Sequence, residues 1–385
     1  MSAVLAAPAS LEELETPALV LDCTKLDRNI RRLRDRLDAL GAALRPHLKT
    51  AKSIDVARLV MGSPQGPATV STLREAEYFA GHGVRDILYA VGLAPAKLPR
   101  VARIRAGGTD LAVIVDNAEA ARAIATFSRE RGDRIPVLIE IDSDGHSSGV
   151  QPRQTDLLLG VGRALHAGGA ELRGVMTHAG ASYDRHTPAA LAAIAEQERA
   201  AAVSCADALR AAGLPCPVVS VGSTPTAHFA QRLDGVTEVR AGVFMFFDLV
   251  MAGIGICSLD DIAASVLATV IGHQRQKGWI LVDAGWMALS RDRGTAKQAV
   301  DQGYGVVCDL DGVPYPDLIV ADANQEHGIV AVRRGSSAPL PDLPVGAMVR
   351  ILPNHACATA AQHDRYHVVE GDGALRAVWP RISGW

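Results

Sequence analysis

The segment Leu44-Arg-Pro-His-Leu-Lys-Thr-Ala-Lys52 places Lys49 at the end of an apolar run, beside a proline, a histidine and a second lysine. A lysine in these surroundings can be desolvated and held near other cations, and both effects favour its neutral amine. A neutral amine can form a Schiff base with an aldehyde such as pyridoxal 5'-phosphate (PLP). The alternative interpretation is a strand end that carries ordinary surface lysines.

The composition is that of a globular protein with large aliphatic cores. The chain has 385 residues, of which 48% are hydrophobic and only 4% are aromatic, which suggests two domains or one barrel with an appendage. The net charge of −3 does not favour a nucleic-acid partner. No apolar stretch approaches the roughly 20 residues of a membrane span. The N-terminus also lacks the basic start and long apolar run of a signal peptide.

The cysteines show no CxxC pair and no regular spacing. This pattern indicates reduced thiols, and we therefore expect a cytoplasmic protein. The six cysteines are Cys23, Cys205, Cys216, Cys257, Cys308 and Cys357.

The first part of the chain alternates between short apolar strands and amphipathic helices. Continuous apolar strands between such helices are typical of parallel strands that are buried on both faces. If a first strand at Ala18–Asp22 is left out, eight strands remain, which is the number that a (β/α)8 TIM barrel requires. A doubly wound open sheet is the alternative. The eight predicted strands are Ala43–Lys49, Ala68–Leu73, Asp86–Val91, Leu111–Asp116, Pro136–Asp142, Leu172–His178, Val218–Gly222 and Glu238–Phe244.

After about residue 250 the helical patterns stop and β segments follow one another between turn signals such as Asp311-Gly312. This pattern predicts an antiparallel β domain that also recruits the N-terminal strand. We therefore expect a barrel over residues 23–250 and a β domain over residues 251–385 with residues 14–22. The predicted β segments are Ile262–Gln274, Gly278–Val282, Tyr304–Leu310, Leu318–Ala323, Gly328–Arg333, Met348–Leu352, Tyr366–Glu370 and Leu375–Trp379.

Catalytic groups of such a barrel belong at the C-terminal ends of its strands. Lys49 closes the first predicted strand and His178 closes the sixth. The loop 220–226, Ser-Val-Gly-Ser-Thr-Pro-Thr, follows the seventh strand and offers a glycine, hydroxyls and backbone N–H groups just before a helical stretch. That combination suits a phosphate group, and the loops after strands seven and eight are the usual phosphate site of this barrel. The alternative is a simple helix N-cap.

A possible metal site lies in the β domain, in the run Leu352-Pro-Asn-His-Ala-Cys357. Residues i and i+2 of an extended strand point to the same side, so His355 and Cys357 could bind one ion. An imidazole and a thiolate suit Zn²⁺, and two protein ligands would leave positions for water and substrate, as in catalytic sites. The alternative is an interior histidine with a small core cysteine.

Several motifs together give the chain a resemblance to the fold-type III PLP enzymes of the D-serine dehydratase and D-threonine aldolase family. The resemblance runs from about residue 14 to residue 385, and only the set of motifs is specific. The motifs are Arg45-Pro-His-Leu-Lys-Thr-Ala-Lys52, Val70-Ser-Thr-Leu-Arg-Glu-Ala-Glu77, Gly222-Ser-Thr, Arg240-Ala-Gly, Val282-Asp-Ala-Gly285, Gln325-Glu-His-Gly328 and Leu352-Pro-Asn-His-Ala-Cys357.

The resemblance implies an alanine-racemase-like barrel with a β domain, usually in a homodimer. It implies that Lys49 is the Schiff-base lysine, and that His355 and Cys357 bind Zn²⁺ or another divalent cation. The remaining residues that it implies all surround PLP: Gly222, Ser223 and Thr224 at the phosphate, Gly242 and Val243 with backbone help, and His178 and Tyr183 around the pyridine ring.

The chain differs from many members of the family at three positions. It has Ser147 where many have arginine, and Gln325 where the aldolases tend to have aspartate. The metal motif is His-x-Cys, as in the dehydratases, where the aldolases tend to have His-x-Asp.

The resemblance therefore implies a PLP- and zinc-dependent dehydratase that acts on a D-3-hydroxy amino acid, such as D-threo-3-hydroxyaspartate, D-serine or D-threonine. The products would be a 2-oxo acid and ammonia. A second substrate carboxylate would need a cation, and Arg291 and Arg293 are the candidates, unless they belong to a solvated turn. A metal-dependent aldolase, an amino-acid racemase and a non-catalytic PLP-binding protein are the alternatives.

Overall fold

We describe the fold from a computed structural model that covers residues 10–146, 148–371 and 373–385. Ser147 and residues 1–9, which entered the sequence analysis, lie outside these ranges. The chain divides into two compact units. One unit is Arg31–Gly242 with the last two residues, and the other combines the N-terminal residues through Ile30 with Val243–Ser383. Within the described ranges, no helix has the length and apolar character needed to cross a membrane.

After a 3₁₀ turn at Leu11–Glu13, the chain forms strand β1 (Ala18–Asp22) and helix α1 (Cys23–Ala39). All five residues of β1 are buried. The apolar residues of α1 recur every three or four positions, and Leu26, Ile30, Leu33 and Leu37 are all buried.

The first unit described here is a barrel of eight parallel strands. The order is β2-β9-β8-β7-β6-β5-β4-β3, and a parallel bridge between His47 and Thr69 joins the two end strands. The sheet is therefore closed, which confirms the predicted barrel and excludes the doubly wound alternative. The strands are β2 (Ala43–Pro46), β3 (Ala68–Val70), β4 (Asp86–Gly92), β5 (Asp110–Val115), β6 (Pro136–Ile141), β7 (Glu171–Thr177), β8 (Val218–Val221) and β9 (Glu238–Ala241).

Helices follow the barrel strands, and local signals explain where they begin and end. Helix α5 begins after Asn117, whose side chain accepts the N–H of Ala120, and ends at Gly132 with a φ of +66°. Helix α7 begins after Thr187, whose side chain accepts the N–H of Ala190. The helices of this unit are α2 (Ile54–Val60), α3 (Leu73–Gly81), α4 (Leu98–Ala106), α5 (Ala118–Arg131), α6 (Thr155–Gly168), α7 (Pro188–Ala211) and α8 (Thr224–Phe229).

The N-terminal ends of the barrel strands are tied together by charged side chains. Arg45 donates to Glu238 at 2.7 Å and to Asp86 at 2.7 Å, and these two acids are the first residues of their strands. Because the opposite end of such a barrel carries the chemistry, we assign this network to stability.

The other unit is built on a nine-stranded sheet of order β11-β14-β13-β12-β15-β10-β1-β16-β17. An extra pairing of β10 with β11 closes six of these strands into a small barrel. Three short helices, α9 (Leu249–Gly253), α10 (Trp286–Leu289) and α11 (Ala356–Ala360), lie between the strands. The strands are β10 (Ala264–Gln274), β11 (Trp279–Val282), β12 (Gly305–Cys308), β13 (Pro314–Ala323), β14 (Gly328–Val332), β15 (Met348–Pro353), β16 (Arg365–Val369) and β17 (Leu375–Pro380).

This sheet is antiparallel, as predicted, except for one pairing. β1 runs antiparallel to β10 but parallel to β16, with Val20 opposite His367. No short turn joins β1 to β16, so nothing in the local sequence imposes the antiparallel direction of a hairpin. The N-terminal segment also joins the core of this unit, where Leu11, Leu14 and Val20 pack with Leu267 and Val369.

Candidate active site

Lys49 lies in a tight turn just after the first barrel strand. The strand ends at Pro46, three residues earlier than expected. Leu48 and Thr50 on either side are fully buried, and the N–H of Leu48 donates to the carbonyl of Thr69 at 2.8 Å. Lys49 itself is exposed, so the desolvation expected for it is not provided by the protein alone. The turn therefore anchors its neighbours and leaves the amine accessible.

The turn is also held from its far end. The N–H of Lys52 donates to the carbonyl of Leu48 at 2.8 Å. The ammonium of Lys52 lies 3.4 Å from the carboxylate of Glu75, which is completely buried. Glu75 accepts the N–H of Ser71 in turn. The loops after β2 and β3 are thereby fixed to one another.

His178 follows the last residue of β7, at the expected end of the barrel. Its Nδ1 lies 3.1 Å from the carbonyl oxygen of Gly222. A carbonyl can only accept, so Nδ1 carries the proton and Nε2 keeps its lone pair. Burial, with the nearby charges of Lys49 and Arg240, lowers the pKa of His178 to about 4. The ring is nevertheless exposed, a combination typical of a side chain that lines a concave site.

Tyr183 is half-buried in a 3₁₀ turn at Gly180–Asp184, and its ring centroid lies 6.2 Å from that of His178 at an interplanar angle of 50°. The structure thus brings together the two residues that the family resemblance places around the pyridine ring. Ser182 of the same turn exchanges a hydrogen bond of 2.9 Å with Ser223, so the turn is also joined to the loop after β8.

The loop after β8 has the expected shape but uses some of its donors internally. Gly222 has a φ of +130°, and a Cβ there would lie 2.3 Å from the carbonyl oxygen of Arg240, so only glycine fits. Ser223 caps α8 through a reciprocal pair of hydrogen bonds with Thr226. The N–H of Gly222 donates to Glu198 at 3.1 Å, and that of Ser223 donates to Thr226 at 2.9 Å. The loop therefore does form the helix N-cap that was the alternative interpretation. The backbone N–H groups of Gly222 and Ser223 already form hydrogen bonds within the protein.

Gly242 and Val243 follow the last barrel strand, one in each unit. A Cβ on Gly242 would lie 2.9 Å from the carbonyl oxygen of His47, which requires glycine at this approach. Val243 begins a 3₁₀ turn, and its carbonyl accepts the N–H of Phe246. Among the described residues, neither backbone N–H of this pair meets an acceptor, so both remain available to an anion.

A buried carboxylate that the sequence analysis missed supports this end of the barrel. Glu198, in the middle of α7, accepts the N–H of Ala179 at 2.8 Å and the N–H of Gly222 at 3.1 Å. Burial raises its pKa, although these hydrogen bonds and one from Thr226 oppose the rise. It ties the loop of His178 to the loop of Gly222. No local pattern distinguishes it from any other helical glutamate.

The charges at this end of the barrel fit an anionic aldehyde. Lys49 and Arg240 both act on His47, whose pKa burial and these cations lower well below its usual value. Arg240 is fixed by bonds of 2.5 Å to Ser220 and to the carbonyl of Thr177. An accessible amine can bind the aldehyde of PLP, and backbone N–H groups without an acceptor in the described chain can bind its phosphate.

The candidate metal ligands lie in the other unit, and the structure corrects how they are brought together. β15 ends at Pro353, His355 is the extended N-cap of α11, and Cys357 is the second residue of that helix. The two therefore do not lie on one strand. The turn into the helix nevertheless brings them together, because the thiol of Cys357 hydrogen-bonds to the imidazole of His355.

Asp292 completes this centre and was not identified from the sequence. Its Oδ2 lies 2.6 Å from Nδ1 of His355, which leaves Nε2 for another partner. This is the usual support of a metal-binding histidine. Burial lowers the pKa of His355, but the hydrogen bonds to Asp292 and Cys357 outweigh it and raise the pKa to about 11. The imidazole of His355 and the thiol of Cys357 are donors of the kind that Zn²⁺ prefers.

Two further buried side chains hold the same run of sequence. Asn354 donates to Thr295 at 2.7 Å and to the carbonyl of Gly303 at 2.8 Å. Asp248 accepts the N–H of Ala356 at 2.9 Å.

No group of three or more His, Cys, Asp or Glu suited to a metal occurs within residues 10–146, 148–371 and 373–385. The centre is thus a two-ligand candidate.

The two arginines proposed for a second substrate carboxylate have different partners. Arg293 forms an ion pair of 2.6 Å with Asp301 and lies over Tyr304. Arg291 stacks on Trp286, with its guanidinium carbon 4.2 Å from the ring centroid. Of these two, Arg291 is the one whose charge is not already matched by a carboxylate in the described chain.

Comparisons with known proteins agree with this architecture. The family model described as Alanine racemase, N-terminal domain, matches residues 21–250, and the one described as Putative serine dehydratase domain matches residues 263–369. The chain is 57% identical over 380 residues to D-threo-3-hydroxyaspartate dehydratase of Delftia sp. (strain HT23), covering 98% of this chain and 99% of that protein. The solved structure of that enzyme superposes with a TM-score of 0.95 over 98% of this chain and all of that chain.

More distant relatives cover the same length. D-serine dehydratase of Dictyostelium discoideum is 29% identical over 95% of this chain and 96% of that protein. The structure of D-threonine aldolase from Filomicrobium marinum, 26% identical, has a TM-score of 0.81 and covers 98% of each chain. A solved structure of a cysteine-to-alanine variant of D-threo-3-hydroxyaspartate dehydratase, 57% identical to this chain, shows that enzyme in a metal-free form. The chain therefore belongs to the fold-type III PLP enzymes of the D-serine dehydratase and D-threonine aldolase family.

Proposed function

We propose that this protein is a PLP- and zinc-dependent dehydratase that converts a D-3-hydroxy amino acid into a 2-oxo acid and ammonia. D-threo-3-hydroxyaspartate is the first expected substrate, and D-serine and D-threonine are further ones. The observation that carries the proposal is the paired imidazole and thiol of His355 and Cys357. The 57% identity to a dehydratase along almost the whole chain supports the same reaction.

Residues 23–250 would hold the cofactor, which supplies an electron sink for charge that develops at the substrate Cα. Lys49 would bind the aldehyde, and its freed amine would take the Cα proton. His178 and Tyr183 would face the pyridine ring, with His178 neutral at pH 7. Gly222, Ser223, Thr224, Gly242 and Val243 would surround the phosphate. Because the N–H groups of Gly222 and Ser223 are engaged internally, we assign direct backbone donation to Gly242 and Val243.

Residues 251–385 with residues 14–22 would hold the metal at His355 and Cys357. Hydroxide is a poor leaving group, and a Lewis acid on the β-hydroxyl would assist its departure. Asp292 would keep the proton of His355 on Nδ1 and so direct Nε2 to the ion. In 3-hydroxyaspartate, the second carboxylate is bonded to the same β-carbon as that hydroxyl. We assign its recognition to Arg291, because Arg293 is already paired with Asp301.

We further propose that the enzyme works as a homodimer in the cytoplasm, where its six free cysteines would stay reduced.

Product analysis tests the proposed reaction. The purified protein, supplied with PLP and Zn²⁺, is given D-threo-3-hydroxyaspartate, D-serine and D-threonine in turn, and 2-oxo acid, ammonia and glycine are assayed. Equal amounts of 2-oxo acid and ammonia support the dehydratase. Glycine with an aldehyde would instead identify the aldolase reaction of the more distant relatives. A racemised substrate without either product would identify a racemase.

A further inference from the structure

Asp248 is a completely buried carboxylate that the proposed reaction leaves without a role. It precedes α9 as its N-cap, and its Oδ1 accepts the N–H of Met251 at 2.9 Å. Its Oδ2 accepts the N–H of Ala356, the residue that lies between the two candidate metal ligands, also at 2.9 Å. Both carboxylate oxygens are therefore used, one for each of two chain segments.

A second hydrogen bond joins the same two segments on the other side of His355. The N–H of Val250 donates to the carbonyl of Asn354 at 3.2 Å. The residue before His355 and the residue after it are thus both tied to residues 248–250. His355 cannot shift along this run without breaking one of the two bonds.

We propose that Asp248 is a positioning residue of the metal centre, which fixes the backbone between His355 and Cys357 so that the imidazole and the thiolate meet one ion. This inference rests on the proposed metal site. We do not assign Asp248 as a ligand, because both of its oxygens accept backbone N–H groups. Its hydrogen bond to Ala356 holds the first residue of α11, and Cys357 follows directly. Groups that support metal ligands in this way typically change metal affinity by about 10- to 100-fold when they are replaced.

Two variants separate this role from simple folding. Asp248→Asn keeps the shape of the side chain but has only one acceptor oxygen, so it loses either the Met251 or the Ala356 bond. Asp248→Ser supplies a good N-cap for α9 but is too short to serve Ala356 as well. Asp322→Asn is the control, because it makes the same chemical change at an exposed position of β13 in the same unit.

The experiment measures the dissociation constant for Zn²⁺ of the PLP-loaded protein by competition with a chromophoric chelator. The visible spectrum of the Co²⁺-substituted protein and the thermal midpoint of the metal-free protein are recorded alongside. We expect both Asp248 variants to bind Zn²⁺ about 10- to 100-fold more weakly, with an altered Co²⁺ spectrum, while Asp322→Asn behaves as wild type. If Asp248→Asn is too unstable to assay, Asp248→Ser decides the outcome.

Wild-type zinc affinity and an unchanged Co²⁺ spectrum in Asp248→Ser would overturn the positioning role of Asp248. That result would not contradict the proposed metal site. A wild-type protein that binds no Zn²⁺ would overturn the proposed metal site and this inference together.

Discussion

Replacement of Asp292 by asparagine tests whether a carboxylate supports the metal-binding histidine. The change keeps the shape of the side chain and one acceptor oxygen, but it removes the charge that lies 2.6 Å from Nδ1 of His355. It also lets the amide present its NH₂ group to the ring, which would favour the wrong tautomer. We therefore expect weaker binding of Zn²⁺ with little effect on the binding of PLP.

The magnitude follows from the geometry. Loss of such a partner typically weakens metal binding by about 10- to 100-fold, or about 1.4–2.8 kcal/mol. The side chains of His355 and Asp292 are 38% and 41% exposed, respectively, so solvent screens part of the lost charge. We therefore expect a loss near the lower limit, about 10-fold. Saturating Zn²⁺ should restore most of the turnover.

The assay is a Zn²⁺ titration against a chromophoric chelator, followed by 2-oxo acid formation at low and at saturating Zn²⁺. Asp301→Asn is a matched control, because Asp301 also forms a 2.6 Å ion pair in this unit and is 43% exposed, but its partner is Arg293. Equal Zn²⁺ affinities in wild type and Asp292→Asn would refute the proposed support, as would an equal loss in the control.

Three further changes test the barrel. Lys49→Ala should abolish the Schiff-base absorbance and turnover, and turnover without that lysine would remove the central assignment. Glu198→Ala leaves the N–H groups of Ala179 and Gly222 without an acceptor, at a cost of about 1–3 kcal/mol each, and should weaken PLP binding. Glu198→Gln keeps one acceptor oxygen and should lose less PLP affinity, and equal losses of affinity in the two variants would contradict the role of Glu198. The pKa of His178 is about 4 when folded and about 6.5 when unfolded, so the unfolded chain takes up this proton first and stability falls as the pH falls across that window. In His178→Gln, the unfolding free energy of the cofactor-free protein, measured with urea, should decrease less steeply as the pH falls from about 6.5 to about 4. The same pH dependence as in wild type would contradict the lowered pKa of His178.

The fold was largely predictable because its signals are local. Apolar runs between amphipathic helices identified all eight barrel strands, and turn signals separated the strands of the second unit. The observed strand ends differ from the predicted ones where a residue is buried without belonging to the sheet. Leu48, for example, is fully buried although β2 ends at Pro46. The parallel pairing of β1 with β16 could not be read locally, because its partners are more than 340 residues apart.

The supporting residues of the site were less predictable than the candidates themselves. Lys49, His178, His355 and Cys357 are chemically distinctive and lie in recognisable motifs. Asp292, Asp248 and Glu198 are ordinary acidic residues in the sequence, and their roles arise only from contacts with distant segments. Their burial and satisfied hydrogen bonds are properties of the folded chain, so no spacing rule could have identified them.

The most direct test of the account uses one preparation of the wild-type protein, loaded with PLP, stripped with a chelator and then reconstituted with Zn²⁺. The Schiff-base absorbance and the 2-oxo acid formed from D-threo-3-hydroxyaspartate are followed at each stage. We predict that the absorbance persists throughout, and that 2-oxo acid formation disappears on chelation and returns with Zn²⁺. Undiminished 2-oxo acid formation by the stripped protein would contradict a metal-assisted dehydration at His355 and Cys357.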